Sequence, residues 1–263
     1  IQDVGVTSRS VAALCLWHLG ETELAMERSR QALQLADDLK HPFSKAYALG
    51  CAAWFHLYLR DGEAARKHAQ EAVDLSTEQG FIWWQIWGTI LGGRAQVDGG
   101  PPPECVAQIE AGIDGWRLTG SGFTIPYFLS LLSEAHAADA NPDEALRLLR
   151  EARGLLEASG EGFFHAETWR LEGEVRRTQA KVDPAEVEGC FRKAHEVARA
   201  QGARAFELRA ARSLAAFQEE QGGAKEAREL LVAACQGLEG QPETVDLVEA
   251  RELLKTLPDP PAA

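Results

Sequence analysis

Between Phe123 and Gly160 the apolar residues recur three and four apart, the mark of helices with one buried face. Tyr127-Phe128-Leu129-Ser130-Leu131-Leu132-Ser133-Glu134-Ala135 predicts a strongly apolar first helix. A break follows at Asn141-Pro142, where proline can open a helix but cannot continue one. Asp143 to Ala152 predicts an amphipathic second helix, closed near Gly160 by a residue suited to a left-handed cap. Two antiparallel helices of this size cannot bury their apolar faces alone and must stack on copies of themselves.

The copies are present at a period of 40 residues. Small residues stand at Ala32, Ala72, Gly112 and Ala152, at Ala25, Ala65, Cys105 and Ala145, and at Ala13, Ala53, Gly93 and Ser133. The three series continue as Gly173, Val187 and Ala194, then as Ala215, Ala227 and Ala234, after two extra residues around Lys181-Val182-Asp183-Pro184. Small side chains at fixed positions let helices approach where larger ones would overpack. The spacing of twelve and then seven residues is similar to that of tetratricopeptide repeats. Their usual period is about 34, whereas HEAT-like repeats have about the period seen here. The turn and second-helix pattern of Asp61-Gly62-Glu63-Ala64-Ala65 and Pro142-Asp143-Glu144-Ala145-Leu146 favours the tetratricopeptide reading.

The expected fold is all-α, a right-handed superhelix of six tetratricopeptide-like helix pairs plus a C-terminal capping helix. It forms one domain over residues 1–257, with pairs at about 7–40, 41–80, 81–120, 121–162, 163–203 and 204–240 and the capping helix at 244–257. Residues 1–6 read as the end of an earlier element, Asp98 to Pro103 as the longest turn, and 258–263 as a disordered tail. The chain begins at Ile1 rather than Met, so it is expected to be a fragment of something longer.

Composition narrows the partners. A net charge of −13 argues against nucleic acid, whose phosphates demand a basic surface. The five cysteines, at 15, 51, 105, 190 and 235, form no CxxC pair, which suits a reducing cytoplasm. Cys105 and Cys190 read as small core residues. No apolar run reaches the roughly 18 residues of a membrane span.

Several segments resemble the carboxy-terminal tetratricopeptide arrays of large bacterial signalling proteins. The likeness is carried by Trp116-Arg117-Leu118-Thr119-Gly120 followed by Tyr127-Phe128-Leu129, by Glu167-x-x-Arg170-Leu171-x-Gly173-Glu174, and by Cys190-Phe191-x-x-Ala194. It continues in Ala200-Gln201-Gly202-Ala203, in Glu207 to Ala215, and in Thr244-x-Asp246-Leu247-x-x-Ala250, departing from the family at Gln241-Pro242-Glu243. The resemblance implies an upstream ATPase of the STAND class, linked to a nucleotide cyclase or a transcriptional-regulator head. These are mostly packing motifs, so they indicate an architecture and a context more than an activity.

No catalytic constellation is legible. A GxxxxGK[ST] phosphate loop is absent, and the protein is expected neither to bind nor to hydrolyse ATP or GTP; stoichiometric nucleotide binding in calorimetry would refute this. The seven histidines include no HExxH and no i,i+4 pair, so no metal or other cofactor is expected. Glu172, Glu174, Glu219 and Glu220 read as solvated helix-surface carboxylates.

In the tetratricopeptide family the first helix of each pair faces a concave groove. Transferring that register places Trp17, Tyr47, Trp54, Trp87, Arg94, Tyr127 and Glu134 in the groove of pairs one to four. Arg170, Glu174, Arg177, Arg209 and Arg212 follow in pairs five and six. Aromatic residues and arginine are enriched at binding hot spots. Packing between repeats competes as an account of the tryptophans: for Trp54 and Trp87 the two stand level, and for Trp83, Trp84 and Trp116 packing is favoured. The leading functional reading is a non-catalytic interaction module that binds a protein segment, or its own upstream ATPase. The alternative is a sensor of a small-molecule inducer. Trp54→Ala or Trp87→Ala, and independently Arg209→Ala with Arg212→Ala, are each expected to weaken partner binding and leave folding intact.

Overall fold

The structure is a computed structural model and describes residues 1–97 and 104–258. Among these residues there are thirteen helices and no strand. They run as antiparallel pairs: α1 (Val4–His18) with α2 (Thr22–Asp38), α3 (Pro42–Tyr58) with α4 (Gly62–Gln79), and α5 (Ile82–Arg94) with α6 (Glu104–Leu118). Then come α7 (Ile125–Ala138) with α8 (Pro142–Ser159), α9 (His165–Arg177) with α10 (Pro184–Gln201), and α11 (Arg204–Glu220) with α12 (Ala224–Cys235). A last helix, α13 (Val245–Thr256), has Thr244 as its N-cap, the Thr244 hydroxyl accepting from the Leu247 N–H. Residues 98–103 and 259–263, where a long turn and a disordered tail are expected, lie outside the described residues.

Local chemistry sets the helix limits. Pro42, Pro142 and Pro184 each open a helix, where a missing N–H costs nothing. Asp61 caps α4 by accepting from the Ala64 N–H at 3.1 Å. Residues 4–6 are not the end of another element, because Asp3 accepts from the Val6 N–H at 2.9 Å and starts α1 at Val4. Each of the first five pairs leaves its second helix through a left-handed residue: Lys40, Gly80, Gly120, Gly160 and Gly202. Four are glycines, which adopt this conformation freely, but Lys40 holds φ at 50°. A left-handed L-residue costs about 1–2 kcal/mol, and glycine's extra unfolded-state freedom offsets about 0.4–1 kcal/mol of the relief. Lys40→Gly should therefore raise stability by about 0.5–1 kcal/mol, read as a higher denaturant midpoint; an unchanged or lower midpoint would contradict it.

Every position of the three small-residue series is buried. The reason is visible at the glycines. A Cβ on Gly93 would stand 2.7 Å from Ile109 Cγ1, one on Gly173 would stand 2.5 Å from Phe191 Cε1, and one on Gly112 would run into Ile90. In pair four, Ser133 Oγ donates to the Ala145 carbonyl at 3.1 Å, tying α7 to α8. Cys105 and Cys190 are buried, as their spacing suggests.

The chain divides into two compact bodies. The first comprises Ile1–Trp17 and Thr22–Leu155, the second His18–Glu21 and the chain from Leu156 onward. Among the described residues no helix is long and apolar enough to cross a membrane.

Candidate functional site: an aromatic layer and an ionic network

In the first body the predicted groove aromatics meet one another. Trp17 stacks on Tyr58 with ring centroids 4.4 Å apart, and Trp54 stacks on Tyr127 at 4.6 Å. Trp87 meets Trp54 edge-on at 5.9 Å and lies 6.0 Å from Tyr47. The repeat brings them together: Tyr47, Trp87 and Tyr127 occupy one register position, 40 residues apart. Trp17, Trp54, Trp87 and Tyr127 retain only 2, 6, 5 and 1% exposure. They form a packed layer and not the open lining that the groove reading implies. Rings of this size bury about 150–250 Å² each, so neighbouring first helices gain more by closing on them than by leaving them in water.

The layer reaches solvent at one end. Phe43 and Tyr47 of α3, with Phe81 and Trp84 at the start of α5, are half-buried. Phe43 lies 5.0 Å from Phe81 and 5.5 Å from Trp84, and Tyr47 lies 5.2 Å from Trp84. Elsewhere in this body Trp116 is buried and donates through Nε1 to the Phe123 carbonyl at 3.0 Å, with Trp83 packed edge-on against it. Arg94 and Glu134, both assigned to a ligand by the groove register, pair with each other at 2.6 Å.

In the second body the arginines are largely claimed by the protein's own carboxylates. Arg170 donates to both oxygens of Glu167, at 2.9 and 2.7 Å, and reaches Glu174 at 3.4 Å. Arg209 donates to Asp246 at 2.8 Å and stands 3.6 Å from Glu167, all three side chains being buried. Arg212 pairs with Glu249 at 3.0 Å, and Ser213 Oγ donates to Glu174 at 2.7 Å. Arg177 is held more loosely, 3.8 Å from Glu174 and 3.9 Å from Glu220. Burial works to raise the Glu167 pKa, but Arg170, Arg209 and Arg212 outweigh it and hold the carboxyl below the usual range. Arg209 is thus an interior residue, and its substitution strikes the fold as well as any partner. Glu172 is buried rather than solvated and accepts from Arg176 Nε at 2.7 Å.

A cleft of about 590 Å³ opens between α10, α11 and α12, floored by Leu214 and Leu230. Its rim arginines are already occupied, Arg192 by Glu188 at 2.6 Å and Arg199 by Glu207 at 3.5 Å. Among the described residues no group of three or more His, Cys, Asp and Glu side chains is placed to hold a metal ion.

Sequence reasoning missed Tyr58, Phe43, Asp246 and His18. Phe43 carried a signal, since aromatics recur at 43, 83, 123 and 163. Asp246 stands in the closing motif, but its pairing with Arg209 carried no signal, because the capping helix lies outside the repeat. His18, the last residue of α1 and grouped with the second body, meets Phe206 edge-on at 4.9 Å. Burial, then the Arg209 charge, pushes its pKa down to about 4.

The helix pairs, their turns and their small-residue contacts define an all-helical repeat fold of the tetratricopeptide-like kind. Solved structures agree. The apo form of RapI superposes with a TM-score of 0.64 at 14% identity, over 97% of this chain and 86% of that one. NprR in complex with its cognate peptide NprX gives 0.66 at 13% identity, over 98% and 72%. A Rap protein complexed with Competence and Sporulation Factor gives 0.65 at 10% identity, over 96% and 74%. At such identities the likeness is one of fold. No family model matches the chain. An uncharacterised protein of Rhizobium meliloti (strain 1021) is 24% identical over 212 residues, which make up 81% of this chain and 20% of that protein.

Proposed function

We propose that the chain is a non-catalytic binding and regulatory module of a larger signalling protein, taking a peptide or protein segment on the first helices of its repeats. The observation that carries this reading is the match, over 96–98% of the chain, to two helical-repeat proteins solved with NprX and with Competence and Sporulation Factor bound. The half-buried aromatic end of the first body supplies an apolar anchor of the residue type enriched at such interfaces. The larger protein is one with a STAND-class ATPase and a cyclase or transcriptional-regulator head, working in the cytoplasm. The motif resemblance supports that context, and a relative about five times longer than its matched segment fits it.

Panning a displayed library of short peptides against the chain tests the reading. Enriched peptides should bind saturably in calorimetry, and Trp84→Ala should weaken them while the helical circular dichroism is kept. A library yielding no binder, together with saturable binding of a small apolar compound, would replace the module with an inducer sensor.

A further inference from the structure

Pair one exposes a face that the later pairs bury. Val4, Ser8, Val11 and Cys15 form one stripe along α1, three and four residues apart, and all four are exposed. Val4 keeps 80% and Val11 44% of its surface in water. One period of 40 residues later, the same register holds Ser44, Ala48, Cys51 and Phe55 in α3, all buried. In pair three it holds Trp84, Gly88, Leu91 and Ala95, buried except for the half-buried Trp84. In pair four it holds Thr124, Phe128, Leu131 and Ala135, again all buried. The cover comes each time from the second helix of the preceding pair. Ala48 packs in one cluster with Ala36 of α2, and Phe128 meets Trp116 of α6 edge-on at 5.3 Å. A Cβ on Gly88 would stand 2.9 Å from Val73 Cγ2 and 3.0 Å from the Ala69 carbonyl oxygen, both of α4.

A repeat that closes an array presents a polar outer face. The α1 stripe carries no charge and only one hydroxyl, so it is not built as such an end. Pair six is closed differently, within the second body, where Leu247 and Ala250 of α13 are buried with Leu208, Ala211 and Leu231. We infer that the α1 stripe is one more repeat joint. Its occupant is the second helix of a further helix pair, joined ahead of α1 in the same polypeptide as α2 is joined ahead of α3. Continuity with the joints already described sets the chemistry of that helix: amphipathic, with small residues where α2 carries Ala32 and Ala36. The inference stands apart from the peptide-binding reading, which neither supports it nor falls with it.

The test adds a copy of residues 1–40 directly ahead of residue 1 and reads the thiol of the original Cys15. The added copy carries Cys15→Ser, and the whole chain carries Cys235→Ser; Cys51, Cys105 and Cys190 are buried. In the chain without the copy, Cys15 should react with a thiol reagent as fast as a small peptide thiol. In the extended chain it should react about 10-fold or more slowly, because the joint must open first. Val11→Glu in the original α1 should restore the fast rate there, and should leave the denaturant midpoint of the unextended chain unchanged. Cys15 that is already slow without the copy, that stays fast with it, or that stays slow with Val11→Glu overturns the inference. An added copy that contributes no helicity overturns it as well, since two helices alone have no other face on which to fold. An unextended chain that sediments as a dimer, and as a monomer with Val11→Glu, would make a second copy the occupant and also overturn it.

Discussion

Replacing Arg209 with leucine is expected to destabilise the second body by about 3–5 kcal/mol, the usual cost of leaving a buried charge without its partner. Arg209 lies between Asp246 at 2.8 Å and Glu167 at 3.6 Å, all three buried, so its loss takes a guanidinium away from two buried carboxylates. Glu167 keeps Arg170 and suffers less. Arg209→Leu combined with Asp246→Leu should therefore recover most of the loss, because apolar residues can replace a buried ion pair at little or no cost. Denaturant unfolding followed by circular dichroism measures both variants. A single variant within about 1 kcal/mol of wild type would mean that Asp246 finds water or another donor. The same network makes the second body sensitive to acid. Glu167 has its folded pKa below the unfolded value, so its contribution is present above about pH 4.3 and is lost as pH falls through the folded value. His18 acts earlier: the unfolded chain takes its proton near 6.5 while the folded one resists to about 4, so stability falls across that interval. Melting temperatures at pH 7, 5 and 4 should descend in that order, and a flat profile would contradict both assignments.

Gly173→Ala is the second large effect, and it sets two opposing terms against each other. Alanine is favoured over glycine inside a helix by about 1 kcal/mol. Against this, its Cβ would stand 2.5, 2.7 and 2.9 Å from three atoms of the Phe191 ring. That ring is fully buried with Val187, Leu214 and Phe217 and has nowhere to retreat. Overpacking of this kind costs about 1–3 kcal/mol, and with a backbone-anchored methyl against a fixed ring the upper part of the range applies. The net expectation is a loss of about 1–2 kcal/mol. Gly154, where an added Cβ meets nothing within 4 Å, is the matched control and should gain stability on the same substitution. Equal shifts at the two positions would show that Phe191 moves aside.

The fold was legible because its determinants are local and repeated. Pro42, Pro142 and Pro184 mark helix starts, Gly80, Gly160 and Gly202 mark helix ends, and the small series marks the faces that touch. Each signal needs only a few neighbouring residues to act. The site was legible only as far as the register, which correctly gathers Trp54, Trp87 and Tyr127 on first helices of successive pairs. Whether those rings face water or each other depends on how closely the first helices converge, which a repeat pattern does not encode. The arginines failed for a related reason. Arg209 meets Asp246 and Glu167, 37 residues ahead and 42 behind, so its partners lie beyond any window in which charge patterning is read.

The left-handed residues at 40, 80, 120, 160 and 202 also bear on how such a chain can be rearranged. Each falls where one helix has ended and the next has not begun, so a cut there severs no helical hydrogen-bond ladder. The stretches up to Gly160 carry small residues at the same three offsets, and the fifth widens the first interval from twelve residues to fourteen. Each of the first four stretches therefore meets its neighbours through the same pattern of small residues, while side chains such as Arg94 and Glu134 add contacts particular to one joint. The wider turn at residues 178–183 between α9 and α10 fits the same economy, since it absorbs extra length outside any helix. Such a chain can vary the side chains it offers to partners, pair by pair, while every joint stays as it was.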